Sequence, residues 1–269
     1  MFITFSTCFY IMPSKFGPAV YIEWMNNLIS IVNHFYLVIY TDEESAYYID
    51  TQNNPNIQVV IKPMESFHNY KYRDHWIQNH ANNVLLNDRT CWQLNMLWSE
   101  KIHFVKETIE RKLFDDTELY GWCDVGYFRN RFNDIHTNNL SAWCKHIDTY
   151  FHLDPTKIGY ACIQNNDEYM HSLFRIVNNR NDKGLPVQPI PAHQLSIAGG
   201  FFVTHPQNID WWFNQYDSTL RRYFEHKYLV KDDQIILADC ILSNMERFTL
   251  FRENLQPFDN WFMFQRIFH

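Results

Sequence analysis

The 269-residue sequence lacks several things, and each shortage argues against a class of explanation. No block of five or six like basic charges occurs and the formal net charge is -7, which argues against nucleic acid or an anionic membrane as the main partner. Arg111-Lys112 and Arg221-Arg222 are isolated pairs, the pattern of solvated helix faces. The six cysteines are dispersed with no C-x-x-C pair, so neither a zinc knuckle nor a disulfide framework is indicated, and a reducing, cytoplasmic compartment is expected. No apolar run approaches the ~18–20 residues of a membrane span. The stretch Phe2 to Tyr10 has no basic flank and no small-residue cleavage site, so it reads as a first strand rather than a signal peptide. The Asn139-Leu140-Ser141 sequon is then expected to be silent. The sequence has no G-x-S-x-G, no P-loop and no G-x-G-x-x-G after the first strand, which leaves esterase, NTPase and nicotinamide-enzyme readings without their motifs. The 13 histidines form no H-E-x-x-H set; His205, His226 and His269 are only distant candidates as metal ligands.

Hydrophobic residues make up 46% and aromatics 17% of the chain, ample for a packed core, and with only 7 glycines there is no sign of low complexity. Residues 2–10 alternate as a strand does, and Val20, Trp24, Leu28, Ile31 and Phe35 follow at helical spacing. The run Phe35 to Tyr40 is continuously apolar, as in a strand buried on both faces, and Thr41-Asp42-Glu43-Glu44 looks like a helix N-cap. A third strand spans Ile57 to Ile61. Strand, helix, strand, helix, strand with short connections is the signature of a parallel α/β sheet. Residues 64–90 are polar, with a helical hint at His75, Trp76, His80 and Val84. Leu94, Trp98, Ile102, Val105, Ile109 and Leu113 predict the most regular helix of the chain, and a fourth strand leads to Asp124. Further on, helices are expected near 139–150, 170–178, 207–227 and from Lys231 to Met245. Strands are expected at Lys157 to Ile163, Ser196 to Val203 and 247–251. Asn179 to Pro191 reads as a mobile connection. With no internal repeat and no linker, 1–269 is expected to be one domain.

The segment Leu119-Tyr120-Gly121-Trp122-Cys123-Asp124-Val125-Gly126-Tyr127-Phe128-Arg129 organises this reading. A carboxylate at the C-terminal end of a buried strand is costly unless it binds something, and in α/β sheets that edge holds ligands. Asp124 therefore reads either as a contact to a metal ion or a sugar hydroxyl, or as a turn cap. Gly199-Gly200 inside a strand marks either close approach of a ligand or a bulge. Asp232-Asp233 reads first as a helix cap and second as a site carboxylate able to take a proton from a hydroxyl. Lys101 is either a solvated helix lysine or a point charge for a phosphate.

Taken in order, several stretches resemble one family. These are Thr4 to Tyr10, Tyr21-Ile22-Glu23-Trp24 to Leu28, Leu37 to Asp42, Leu94-Asn95 to Lys101, Trp122 to Arg129, Gly199-Gly200-Phe201-Phe202 and Asp233-Gln234. Together they are similar to the bacterial HtrL/YibB (WlaTC) family, assigned as glycosyltransferases. The resemblance implies an α/β, GT-A-like fold, a mixed, mainly parallel sheet flanked by helices, with a nucleotide-binding half to about 130 and an acceptor-side half from about 131. It also implies transfer of a sugar from a nucleotide sugar, foremost a UDP-sugar, to a hydroxyl of a glycan or glycoconjugate. It places Thr7, Tyr10 and Asp42 near base and ribose, Lys101 near the diphosphate, and Gly199, Gly200 and Gln234 by the sugar donor. Asp233 would be the base or the sugar-positioning carboxylate. Asp124 would stand where a D-x-D signature has its first Asp, and Gly126 where the second, metal-binding Asp is usual. A divalent cation (Mn²⁺ or Mg²⁺) on Asp124 is thus one way to neutralise the leaving diphosphate, and Lys101 with Arg129 is the other. The alternatives are a catalytically idle nucleotide- or sugar-binding protein on the same fold and, less well supported, a metal-dependent phosphohydrolase.

Overall fold

Alternation in the early strands determines how the layers stack. The computed structural model describes residues 2–255 and 257–269. In chain order it contains β1 (Phe2–Cys8), α1 (Pro18–Ser30), β2 (Tyr36–Thr41), α2 (Glu43–Ala46), β3 (Ile57–Ile61), α3 (Arg73–Asn82), α4 (Trp92–Ser99), α5 (Lys101–Arg111) and β4 (Thr117–Cys123). There follow α6 (Ile147–Tyr150), β5 (Ile158–Cys162), α7 (Asp167–Asn178), β6 (Ile197–Thr204), α8 (Ile209–Glu225), α9 (Asp233–Ser243), β7 (Phe248–Phe251) and α10 (Phe264–Ile267). Successive strand side chains point to opposite faces. Ile3, Phe5, Leu37 and Ile39 therefore join one buried cluster with Met25, Leu28 and Phe264. Val38, Tyr40, Tyr120 and Trp122 join the other with Phe104, Trp212 and Ile236. The sheet is covered on both faces, which is why β2 is apolar at every position but its ends.

The seven strands run in the order β3-β2-β1-β4-β6-β5-β7. β1, β2, β3 and β4 are mutually parallel, β6 is antiparallel to both β4 and β5, and β7 is parallel to β5. Only β6 is reversed. The α/β fold with a mixed, mainly parallel sheet flanked by helices is what the chain forms. The reversal has a direct consequence for the site. The start of β6 lies beside the end of β4, with Cys123 opposite Phe201, and the Asp124 amide donates to the Gly200 carbonyl at 2.9 Å.

Three expectations differ from the structure. The stripe from Leu94 to Leu113 is two helices, α4 and α5, meeting at Glu100. The Glu100 carboxylate is fully buried and accepts from the amides of His68 (2.6 Å) and Asn69 (3.0 Å) and from the Asn69 side chain (2.7 Å). A charge that accepts several aligned hydrogen bonds can be buried, and here it fixes the joint from which Lys101 projects. The stretch 139–150 is mostly turns, with one helical turn at α6. Residues 179–191 make specific contacts: Arg180 pairs with Asp239 and donates to the Gly184 carbonyl at 2.6 Å, and Leu185 is buried. The aromatic tail buttresses the turn after β4. Gln265 donates to the Tyr127 carbonyl (2.7 Å), and the Tyr127 hydroxyl accepts from the Phe264 amide (3.2 Å). Among the described residues no helix is long and apolar enough to cross a membrane.

Candidate functional site

A cavity of about 490 Å³ opens at the carboxyl ends of β1 and β4 and the start of β6. This is the edge at which open α/β sheets bind ligands, because strand ends and the loops after them leave backbone and side-chain groups unpaired there. Tyr10, Lys101, Asp124, Gly126, Arg129, Gly199, Gly200, Asp233 and Gln234, all singled out from the sequence, line it. Thr7 and Asp42 do not. Thr7 is fully buried on β1 with its hydroxyl unpartnered, and Asp42 caps α2 by accepting from the Ser45 amide at 2.7 Å.

At the floor lies a cation between two carboxylates. Lys101 is 7% exposed, so it is not a solvated helix lysine. Its Nζ lies 3.1 Å from Asp124 Oδ1, 3.0 Å from Asp233 Oδ2 and 2.9 Å from the Gly199 carbonyl oxygen. An ammonium has three protons, and three acceptor groups already surround this one. Trp122, two residues before Asp124 and so on the same side of the strand, donates its indole N–H to Asp124 Oδ1 at 2.6 Å. Neither carboxylate acts as a cap. Asp124 makes no side-chain cap bond to the 3₁₀ turn that follows it. Asp232 occupies the N-cap position of α9 without capping it and pairs with Lys231 at 3.0 Å, while Asp233 turns to Lys101.

The electrostatics follow from burial. Burial would lower the Lys101 ammonium, but Asp124 and Asp233 override it and hold the group well above its ordinary value. Burial pushes the Asp233 carboxyl from the usual 3.8 up to about 6, with Lys101 pulling back only part of that rise and Asp232 and Asp124 adding to it. Asp233 Oδ2 is within ion-pair distance of Lys101, yet no hydrogen-bond donor is aligned on it.

The two glycines of β6 have a more specific role than close ligand approach. A Cβ at Gly199 would lie 2.9 Å from Asp233 Oδ2, and one at Gly200 would lie 3.1 Å from Asp124 Oδ2. Each glycine is the floor on which one carboxylate rests. Gly126 is explained similarly, since a Cβ there would lie 2.7 Å from Cε3 of Trp24. A side chain at 126 would force the Trp24 indole of α1 to shift.

The opposite wall is aromatic. Phe16, Tyr21 and Trp24 pack edge to face, with centroids 5.2–6.2 Å apart, and Trp261 and Phe262 complete the wall from the tail. The Arg129 guanidinium stacks over Trp24 (4.4 Å) and Phe262 (5.2 Å), and its Nε donates to the Gly126 carbonyl at 2.5 Å. Its fork is thereby oriented before any ligand arrives, in the way that suits phosphate or carboxylate. Lys15 and Arg131 also line the cavity. The sequence reading missed Lys15, Phe16, Arg131, Trp261 and Phe262, because loop and tail residues carry no periodic signal; Tyr21, on α1, was quoted only in the resemblance. Trp24 was visible as a helix-stripe residue but not as a cavity wall. Among the described residues no group of three or more His, Cys, Asp or Glu side chains is arranged to hold a metal ion. The chain matches no protein-family model and no curated protein sequence.

Proposed function

We propose that the chain is a GT-A-like glycosyltransferase that moves a sugar from a nucleotide sugar, foremost a UDP-sugar, to a hydroxyl of a glycan or glycoconjugate. The observation that carries the reading is the Asp124–Lys101–Asp233 arrangement at the strand-end edge of a cavity large enough for such a ligand. The resemblance of the motifs supplies the reaction class, and the strand order with β6 alone reversed is compatible with it. In this reading Asp233 accepts the proton of the attacking hydroxyl. A base near 6 is ionised at neutral pH yet retains proton affinity. Asp124, held by Trp122 and Lys101, takes hydrogen bonds from ribose or sugar hydroxyls. Because Lys101 is already surrounded by acceptors, the charge of the diphosphate falls to Arg129, with Lys15 and Arg131 nearby. The aromatic wall offers stacking surface for base or sugar.

Thermal denaturation with uridine diphosphate and a panel of nucleotide sugars tests this. Saturating ligand should raise Tm by on the order of 5 °C. Asp124→Ala should abolish that shift while its own Tm and circular dichroism stay close to wild type. Binding of no nucleotide would remove the reading. Binding with neither hydrolysis of the sugar donor nor transfer would favour the idle binder.

A further inference from the structure

Where a carboxylate pair faces a nucleotide's phosphates, the expected partner is a hard divalent cation on oxygen ligands. The residues present do not fit one. We infer that Lys101 occupies the cation's place, so that this site holds its charge by a resident ammonium and has no room for Mn²⁺ or Mg²⁺. Two separate observations carry this. The first is the ammonium itself, buried, with Asp124, Asp233 and the Gly199 carbonyl each at about 3 Å. A divalent ion bound to the same oxygens would sit within a few ångströms of that fixed positive charge, in surroundings that screen poorly. The second is Trp24, whose ring stands 2.7 Å from where a Cβ on Gly126 would be. A carboxylate there, which would offer a second, lysine-free ligand beside Asp124, could enter only if the Trp24 ring shifted, independently of Lys101.

The chemistry is that of a plugged cation site. Mg²⁺ and Mn²⁺ need several oxygen ligands, and Asp124 Oδ1 and Asp233 Oδ2 are here committed to a nitrogen. The lysine differs from a metal in one functional respect: it cannot exchange or accept extra ligands, so it organises the two carboxylates without reaching out to the phosphates. For a phosphorylated ligand, which is where the inference rests on the proposed function, the compensating charge is supplied from the other side by Arg129.

The plug itself is tested without any sugar donor. Mn²⁺ binding is followed by electron paramagnetic resonance in the full-length chain, as wild type, Lys101→Met, and Lys101→Met with Asp124→Asn. Wild type should bind no Mn²⁺ at this site. Removing the ammonium should expose a site with on the order of tenfold or greater gain in Mn²⁺ affinity, lost again when Asp124 is neutralised. A wild-type Mn²⁺ site that disappears in Asp124→Asn overturns the inference outright, whether or not the lysine variants fold. So does a folded Lys101→Met, or the more polar Lys101→Gln, that gains no Mn²⁺. Nucleotide binding by the wild type should be unchanged by a chelator; failure to bind nucleotide at all counts against the proposed function and leaves the Mn²⁺ result to decide the plug.

Discussion

Helix α9 carries two buried carboxylates, Asp233 at its start and Asp239 in its second turn, with exposures of 5% and 1%. They differ in everything around them. Asp239 is enclosed: Arg180 pairs with it, the Tyr223 hydroxyl donates to it at 2.7 Å, and the same guanidinium ties down the Gly184 carbonyl. Its charge fastens the 179–187 turn to the helix. Asp233 faces the cavity, shares one lysine with Asp124, and keeps an oxygen on which no donor is aligned. Equal burial thus serves two purposes, and what separates them is whether the partners close around the charge. A closed set stabilises; an open one leaves affinity for something that is not yet bound.

Substituting each carboxylate should separate stability from turnover. Asp233→Asn should lower turnover by about 10²–10⁴-fold while leaving the urea midpoint near wild type. Asp239→Ala leaves Arg180 without its buried partner and should lose about 3–5 kcal/mol in urea denaturation. Equal destabilisation by both would collapse the distinction. The pH dependence sharpens it. Turnover should rise with pH as Asp233 ionises through about 6, and the Asp233→Asn variant should lack that limb. The stability effect has the opposite sign. The folded chain binds this proton more tightly than the unfolded chain does, so a contribution present below about 3.8 is lost as pH rises through about 6. Denaturation midpoints across that window, compared with Asp233→Asn, measure it.

The smallest expected effect is an asymmetry between neighbouring glycines. Gly199→Ala pushes a methyl against Asp233, whose side chain is 7% exposed and has nowhere to turn; it should cost about 1–3 kcal/mol in thermal or urea denaturation. Gly200→Ala meets Asp124, whose side chain is 35% exposed and can swing outward, and should cost less than about 1 kcal/mol. If the order reverses, the glycines are not supports for these two carboxylates.

The layer architecture was legible because it rests on local rules. Alternation in β1, the apolar run of β2 and the Asp42 cap each follow from a few adjacent residues, and the structure has β1, β2, β3 and the helix start where those signals lie. The join at Glu100 was not legible. Leu94 to Leu113 keep helical periodicity throughout, and the break is made by amides of His68 and Asn69 about thirty positions earlier in the chain. The roles of Asp124, Gly126 and Asp233 divide in the same way. Local sequence marked two of them as unusual, a carboxylate at a strand end and two aspartates opening a helix, while Gly126 stood out only through the resemblance. Local sequence also favoured capping for Asp232-Asp233, since the preference of aspartate for helix starts is real and local.

What the sequence determined by itself is the seven strands, most of the helices and the short list of residues that local chemistry does not explain. What only the tertiary structure decided is that Lys101, Asp124 and Asp233 meet, that Gly199 and Gly200 make room for them, and that Trp24 packs onto Gly126. The physical reason is that each depends on contacts between segments far apart in the chain; the reversal of β6 against β4 sets Gly199 and Gly200 beside Asp124, and α1 packs on the turn after β4. A chain's local preferences fix its elements, but the protonation and pairing of a buried charge are set by whatever the finished fold places within a few ångströms of it.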